Sequence, residues 1–180
     1  TLNDLHKNLA FNAPSPNKAA EVQDWRRAVL LHPKSNGSGV EYPLEQYFAL
    51  ALALVDKGYQ VFFTGTEKEG SQFRDQIPVH PAIIDASGQW DLPTFIAIIA
   101  QSKALVACST GPYHIAGLCG IHAIGLFAQR KPIHPGRWAA LGARSSALTA
   151  QKRCQACAAG QFCNCIEEIA IQNIIDAIEK

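Results

Sequence analysis

From Ala28 onward, short unbroken apolar runs alternate with longer stretches in which apolar residues recur at helical spacing. A strand covered on both faces reads as such a run, because neither face meets water, whereas a covering helix shows only an apolar stripe. The pattern predicts strands at Ala28–His32, Gln60–Thr64, Ala82–Asp85, Leu105–Cys108, Ala123–Phe127 and Ala147–Thr149. Between them it predicts helices at Pro43–Lys57, Glu69–Gln76, Leu92–Lys103, Gly111–Cys119 and Glu167–Glu179. Local signals agree: Pro43 suits a first helical turn, Gly58 a left-handed end cap, and Asp91 an acceptor for the free amides of the helix that follows. Strand and helix in regular alternation imply an α/β fold, a Rossmann-like parallel sheet with helices on both faces. Ligands of such sheets bind at the carboxyl ends of the strands, so the loops that leave those ends are where chemistry is expected.

Residues 1–25 have a different texture, polar and mixed, with Pro14 and Pro16 close together and a Lys18–Trp25 stretch that could form a short helix. They are expected to be a lead-in segment or linker, which leaves residues 26–180 as one folded domain. The 180 residues are 48% hydrophobic, enough for a sizeable core. Charged residues make up 17%, with 16 Lys+Arg against 15 Asp+Glu and a net charge of +1, a balance that fits neither a disordered segment nor a polybasic nucleic-acid binder. The longest strictly apolar run, Tyr47–Val55, falls far short of the ~20 residues that cross a bilayer, and no charged-then-apolar leader is seen. A soluble chain is expected. It starts at Thr1 and contains no Met, so it is expected to be a piece of a longer protein.

Three of the loops carry matching chemistry. The first, His32 to Gly39, sets Lys34, Ser35, Asn36 and Ser38 among glycines, a composition that suits a phosphate cradle or an ordinary polar turn. It is neither a Walker loop nor GxGxxG. The second offers the hydroxyls of Thr64 and Thr66, close approach at Gly65, and Glu67 or Glu69 to accept both hydroxyls of a ribose, although a plain helix cap would look similar. The third, Ser109-Thr110-Gly111-Pro112-Tyr113-His114, closes one strand and opens a helix within a few residues. Thr110 and Gly111 would then face a diphosphate at the positive end of the helix dipole, with His114 about one turn further in. Together the loops point to a nucleotide diphosphate.

The stretch Ser109-Thr110-Gly111-Pro112-Tyr113-His114-Ile115-Ala116 resembles the (D/S)TGPxHxA signature of family 9 glycosyltransferases, the ADP-heptose:lipopolysaccharide heptosyltransferases. The resemblance runs from about Ala28 to Lys180 and includes His32-Pro33, Tyr42-Pro43, Thr64-Gly65, Asp91-Leu92 and the late cysteines. It implies the C-terminal, donor-binding half of a GT-B fold, in which two Rossmann-like domains face a cleft. The implied donor-site residues are Lys34, Ser35, Asn36, Thr64, Gly65, Glu69, Ser109, Thr110, Gly111 and Pro112, with His114 in support. The implied reaction is transfer of a heptose-like sugar from a nucleoside-diphosphate sugar, ADP-heptose in the family, to a lipopolysaccharide core acceptor. It takes place at the cytoplasmic face of the inner membrane, with peripheral membrane contact and no catalytic metal. The base comes from the N-terminal domain, so this chain alone is expected to bind donor without turning it over. Two positions depart from the family: Ser109 stands where Asp is usual, which leaves the sugar open, and Val40 where a Lys near the phosphates is usual, a charge Lys34 is expected to supply. A nucleotide-sugar epimerase or hydrolase of similar architecture, or a non-catalytic nucleotide-binding module, are the alternative readings.

Cys154, Cys157, Cys163 and Cys165 form a C-x2-C-x5-C-x-C pattern that could bind tetrahedral Zn²⁺, pair as disulfides, or remain free thiols. Cys108 and Cys119 read as small core residues. The loop Gln129–Trp138 gathers Arg130, Lys131, His134 and Arg137, and could meet a donor phosphate or an anionic acceptor or be merely solvated.

Overall fold

The structure, a computed structural model, describes residues 24–150, 154–161 and 163–180. The strands are β1 (Ala28–His32), β2 (Gln60–Phe63), β3 (Ile83–Asp85), β4 (Ala104–Ala107), β5 (His122–Leu126) and β6 (Ser145–Leu148). They form one parallel sheet in the order β3-β2-β1-β4-β5-β6, with Leu30 of β1 level with Phe62 on one side and Leu105 on the other. The chain builds outward from β1 to β3, then returns to the other side of β1 to lay down β4. That reversal parts the loops leaving β1 and β4 and opens a crevice at their carboxyl ends.

The helices are α1 (Leu44–Asp56), α2 (Glu67–Gly70), α3 (Leu92–Gln101), α4 (Gly111–Leu118), α5 (Pro135–Trp138), α6 (Gln155–Ala158) and α7 (Ile171–Glu179). Because side chains alternate across a strand, the central strands feed two cores. Val29, Leu31, Val61 and Val106 meet Leu50 and Leu54 of α1 and Ile174 and Ile178 of α7 on one face. Leu30, Phe62 and Leu105 meet Ile98 and Ile99 of α3 and Tyr113 and Ala116 of α4 on the other. Each Leu or Ile so buried contributes about 1.5–3 kcal/mol of transfer free energy, which is why the middle positions of β1, β2 and β4 are apolar. Cys108 is buried in the first of these cores. Trp25, at the end of the polar lead-in, packs 4.9 Å from Phe62 and 5.9 Å from Trp90. The rest of that lead-in, including most of the expected Lys18–Trp25 helix, lies outside the described residues.

The six strands and the major helices match the sequence reading, while several ends shift. Pro43 stands just before α1 rather than inside its first turn. Gly58 ends that helix with φ +80°, and a Cβ there would lie 2.5 Å from Arg27 Nη2. Asp91 caps α3 as expected, accepting from the Thr94 amide at 2.9 Å.

The helix expected over Glu69–Gln76 is instead the short α2 followed by a separate 3-10 turn at Arg74–Gln76. Thr66 and Glu69 cap each other at its start, and the chain then bends so that Phe73 enters the core and Arg74 pairs with Glu67 at 2.7 Å and Asp85 at 2.6 Å. The helix expected over Glu167–Glu179 is likewise split into a 3-10 turn at Cys165–Glu168 and α7. At the break the Tyr42 hydroxyl donates to the Ile169 carbonyl at 2.6 Å, which takes that acceptor away from a continuous helix. No described helix is long and apolar enough to cross a membrane.

Candidate functional site

A cavity of about 400 Å³ opens at the carboxyl edge of the sheet, where the loops after β1, β2, β3 and β4 converge. Lys34, Ser35, Gly65, Glu69, Thr110, Gly111 and Pro112, all picked out from sequence, line it. Asn36, Thr64, Ser109 and His114 do not, although they sit on the same elements.

The start of α4 explains why this edge attracts an anion. Thr110 holds the N-cap position in extended geometry, but its side chain makes no capping bond, and its hydroxyl is buried without a hydrogen-bond partner. A threonine at an N-cap ordinarily accepts from an amide of the first turn; here it leaves the helix's N-terminal amides unclaimed by a side chain. A Cβ placed on Gly111 would meet nothing within 4 Å, so the backbone there is open to close approach. Free amides, the positive end of the helix dipole and an unpaired hydroxyl together favour a phosphate group.

The loop after β1 is held rather than loose. Ser38 donates from its hydroxyl to the carbonyls of Ser35 (2.8 Å) and Ser109 (2.7 Å), which ties this loop to the start of α4. Asn36, exposed and at φ +48°, makes the turn. Lys34 is ion-paired with Glu41, whose carboxylate also accepts from the Ser35 amide at 2.8 Å and its hydroxyl at 3.1 Å. Burial works to raise the Glu41 pKa, but Lys34 and Ser35 outweigh it and hold the carboxyl below its ordinary range. Lys34 therefore reaches the cavity as half of an ion pair, not as the free cation the sequence reading expected.

In the loop after β2, Glu69 accepts from the Thr66 amide at 2.7 Å and the Thr66 hydroxyl at 2.9 Å, so the helix-cap reading and the cavity-facing reading apply to the same carboxylate. Glu67 is occupied by Arg74. Thr64 lies beneath the cavity floor, its hydroxyl 3.0 Å from His32 Nδ1 and 3.3 Å from the Leu31 carbonyl. His32 lines the cavity, with Phe95 stacked on it at 6.2 Å and Trp90 stacked on Phe95 at 6.1 Å. The result is an aromatic wall opposite the start of α4. His114 points instead toward Trp138, 6.4 Å away, and burial lowers its pKa, which works against an imidazolium donor.

His32, Trp90, Leu92 and Phe95 are cavity residues that the sequence reading did not select. Their signal was present but spent elsewhere: Trp90, Leu92 and Phe95 flank the Asp91 cap and read as part of an apolar helix start.

A second cavity, about 440 Å³, lies on the other side of the β1 loop between Gly39, Val40 and Glu41 and the basic segment Arg130–Ile133. Arg130 and Lys131 thus lie across a cavity from Val40, the position where a lysine was expected. Its remaining wall is Asn164, Ile166 and Glu167. Next to that wall, the Sγ atoms of Cys154, Cys157, Cys163 and Cys165 all fall within 4.8 Å of one another, an arrangement that could hold a metal ion.

An α/β sheet reversing between β1 and β4, with an open helix start and an aromatic wall at the reversal, forms a crevice that could receive a phosphate-bearing ligand. The profile of glycosyltransferase family 9 (heptosyltransferase) matches residues 2–164. The chain belongs to this family. Its fold is similar to that of E. coli ADP-heptose LPS heptosyltransferase II, with a TM-score of 0.73 and 17% identity over 98% of this chain and 55% of that one. It is similar as well to a family 9 glycosyl transferase from Veillonella parvula (TM-score 0.68, 18% identity, 89% of this chain, 47% of that one). A third similar structure is E. coli heptosyltransferase WaaC with ADP (TM-score 0.66, 15% identity, 99% of this chain, 48% of that one). The family 9 chain therefore spans about half the length of these solved structures. No curated protein matches it.

The buried imidazoles give this family 9 chain a pH dependence. Burial lowers the pKa of His32, partly offset by Glu69, and burial also lowers those of His114 and His122, with Lys103 and Arg144 adding to the effect at His122. A folded-state pKa below the ordinary 6.5 means the unfolded chain takes up protons first. Stability is then fully present above that value and is lost as pH falls toward the lowered ones. The denaturant midpoint is expected to drop between about pH 7.5 and about pH 5.5, and to drop less in His32→Gln. A midpoint that rises on acidification would contradict this account.

Proposed function

We propose that this chain is the donor-binding half of a family 9 glycosyltransferase that moves a heptose-like sugar from a nucleoside-diphosphate sugar, ADP-heptose, to a lipopolysaccharide core acceptor. The observation that carries the reading is the unpartnered Thr110 hydroxyl at the open start of α4, inside a cavity shared with the β1 and β2 loops. The diphosphate sits against Thr110 and the Gly111 amide, the base against the Trp90 and Phe95 wall, and the ribose hydroxyls near Glu69. These groups bind the leaving nucleotide and stabilise the charge that builds on it as the glycosidic bond breaks. Arg130 and Lys131, across the β1 loop, supply the positive charge that Val40 lacks and that Lys34 shares with Glu41. Ser109, whose carbonyl is tied to Ser38, leaves the sugar end without the usual carboxylate. The base that deprotonates the acceptor hydroxyl belongs to a facing N-terminal domain. The enzyme works in the cytoplasm with peripheral contact to the inner membrane, where its lipid-linked acceptor is found.

Calorimetry tests the reading directly. ADP is expected to bind at least about 10-fold more tightly than adenosine, since one charge-assisted hydrogen bond to the diphosphate accounts for that much. Equal affinity for the two would remove the diphosphate from the site.

A further inference from the structure

The cysteine cluster lies outside the proposed donor cavity and calls for an account of its own. Cys157 Sγ stands 2.9 Å from Cys163 Sγ and 3.5 Å from Cys165 Sγ, with Cys163 and Cys165 3.4 Å apart. Cys154 completes the group, all four sulfurs lying within 4.8 Å of one another. Four ligands on a tetrahedron with Zn–S bonds of about 2.3 Å have edges of about 3.8 Å, a spacing that falls between the 2.9–3.5 Å separations of Cys157, Cys163 and Cys165 and the 4.8 Å limit within which all four sulfurs lie. A multi-iron cluster, with its own sulfides between the irons, would hold the cysteines farther apart. Two disulfides would draw the sulfurs into separate pairs, whereas here three converge mutually.

The backbone is arranged for thiolates. The Cys157 amide donates to Cys154 Sγ at 3.5 Å across the Cys-x-x-Cys turn, and the Gln129 amide donates to Cys165 Sγ. Such N–H···S bonds stabilise negative sulfur.

We propose that Cys154, Cys157, Cys163 and Cys165 form a structural Zn²⁺ site that fastens the segment between β6 and α7 to the sheet. Its described regular structure is short: α6 has four residues, and the 3-10 turn Cys165–Glu168 another four. Yet it provides Asn164, Ile166 and Glu167 to the second cavity, opposite Arg130 and Lys131. Cys157 and Cys165 are also buried in the core formed with α1 and α7, so the ion links this wall to the main fold. The ligands are four thiolates with no open position, which makes the site structural rather than catalytic.

The test is metal content and does not depend on nucleotide binding, so its failure leaves the donor reading standing. The full chain, purified under reducing conditions without chelators, is expected to carry about one zinc per chain and to release it when its thiols are modified with a mercurial. Replacing zinc with Co²⁺ is expected to give the intense visible bands and thiolate charge-transfer absorption of a tetrahedral cobalt thiolate. Cys163→Ser, which removes a half-exposed ligand, is expected to bring zinc well below one equivalent, while Cys119→Ser, outside the cluster, leaves it unchanged. Should Cys163→Ser fail to fold, the cobalt spectrum of the unaltered chain decides. Iron in place of zinc, disulfides detected by intact mass, or four freely reactive thiols in the folded, metal-free chain would each overturn the proposal.

Discussion

Thr110→Val is expected to weaken ADP binding by about 10- to 150-fold, the worth of a hydrogen bond to a charged group at about 1.5–3 kcal/mol. The substitution keeps the branched shape and removes only the hydroxyl. In most helices the loss of an N-cap Thr side chain costs about 1 kcal/mol of stability. Here the cost is absent, because the Thr110 side chain caps nothing and its hydroxyl is buried without a partner. Exchanging an unsatisfied buried oxygen for a methyl group leaves stability unchanged or raises it. Affinity and stability are therefore expected to move in opposite directions or independently, a combination that a simple folding defect cannot produce. Calorimetry with ADP and thermal unfolding of the same variant check both halves. An unchanged dissociation constant would take Thr110 out of the site, and a fall in unfolding temperature would show that the hydroxyl has a structural partner.

The sheet was legible because a strand covered on both faces has no polar positions to confuse it: Val29, Leu30 and Leu31 are all fully buried, and the run reads as a strand without reference to anything distant. The broken helices were not legible, because what breaks them is remote. Arg74 leaves the expected helix to reach Asp85, eleven positions away, and the carbonyl of Ile169 is taken by Tyr42, 127 positions away. The same division runs through the site. The place of Thr110 and Gly111 at the cavity was legible because it depends on a local event, a strand ending where a helix begins. Lys34 could be seen as a cation but not as a neutralised one, since its pairing with Glu41 depends on how the intervening loop folds back. His114 was placed near the cavity by helical spacing alone, whereas its ring lies 6.4 Å from that of Trp138 on a different element. The aromatic wall was hidden for the opposite reason: Trp90 and Phe95 look like ordinary core residues, and only the crevice between β1 and β4 makes them line a cavity.

The unequal surroundings of the cations bear on how the leaving nucleotide is handled. Lys34, beside the proposed diphosphate, must be shared with Glu41, so its field there is reduced. Arg130 and Lys131 lie on a separate loop, across the second cavity from Val40. In the proposed site, positive charge acting across the β1 loop, in place of the lysine expected at Val40, two positions before Tyr42, would come from the loop after β5. That loop is bounded by Asn164 and Ile166 of the cysteine-bearing segment, which ties the placement of the cations to the integrity of the cluster.

No sugar transfer is expected from the 180-residue chain alone, even at donor concentrations that saturate it. Holding donor and acceptor together in reactive geometry supplies about 7–11 kcal/mol of barrier reduction, and the proposed donor occupies the cavity built by the β1, β2, β3 and α4 segments. The solved relatives are about twice as long, this chain covering 55% and 48% of the two E. coli enzymes. Of the carboxylates lining the two cavities, Glu69 is committed to Thr66, and Glu41 to Lys34 and Ser35. Glu167, exposed at the far wall of the second cavity, lies across the β1 loop from the proposed diphosphate. Activity is therefore expected to return only when a facing domain contributes both the acceptor surface and the base. Mass spectrometry of acceptor incubated with donor and this chain measures it. A glycosylated acceptor made by the chain alone, and lost in a Thr110→Val, Lys34→Ala double variant, would place the whole catalytic apparatus within these 180 residues.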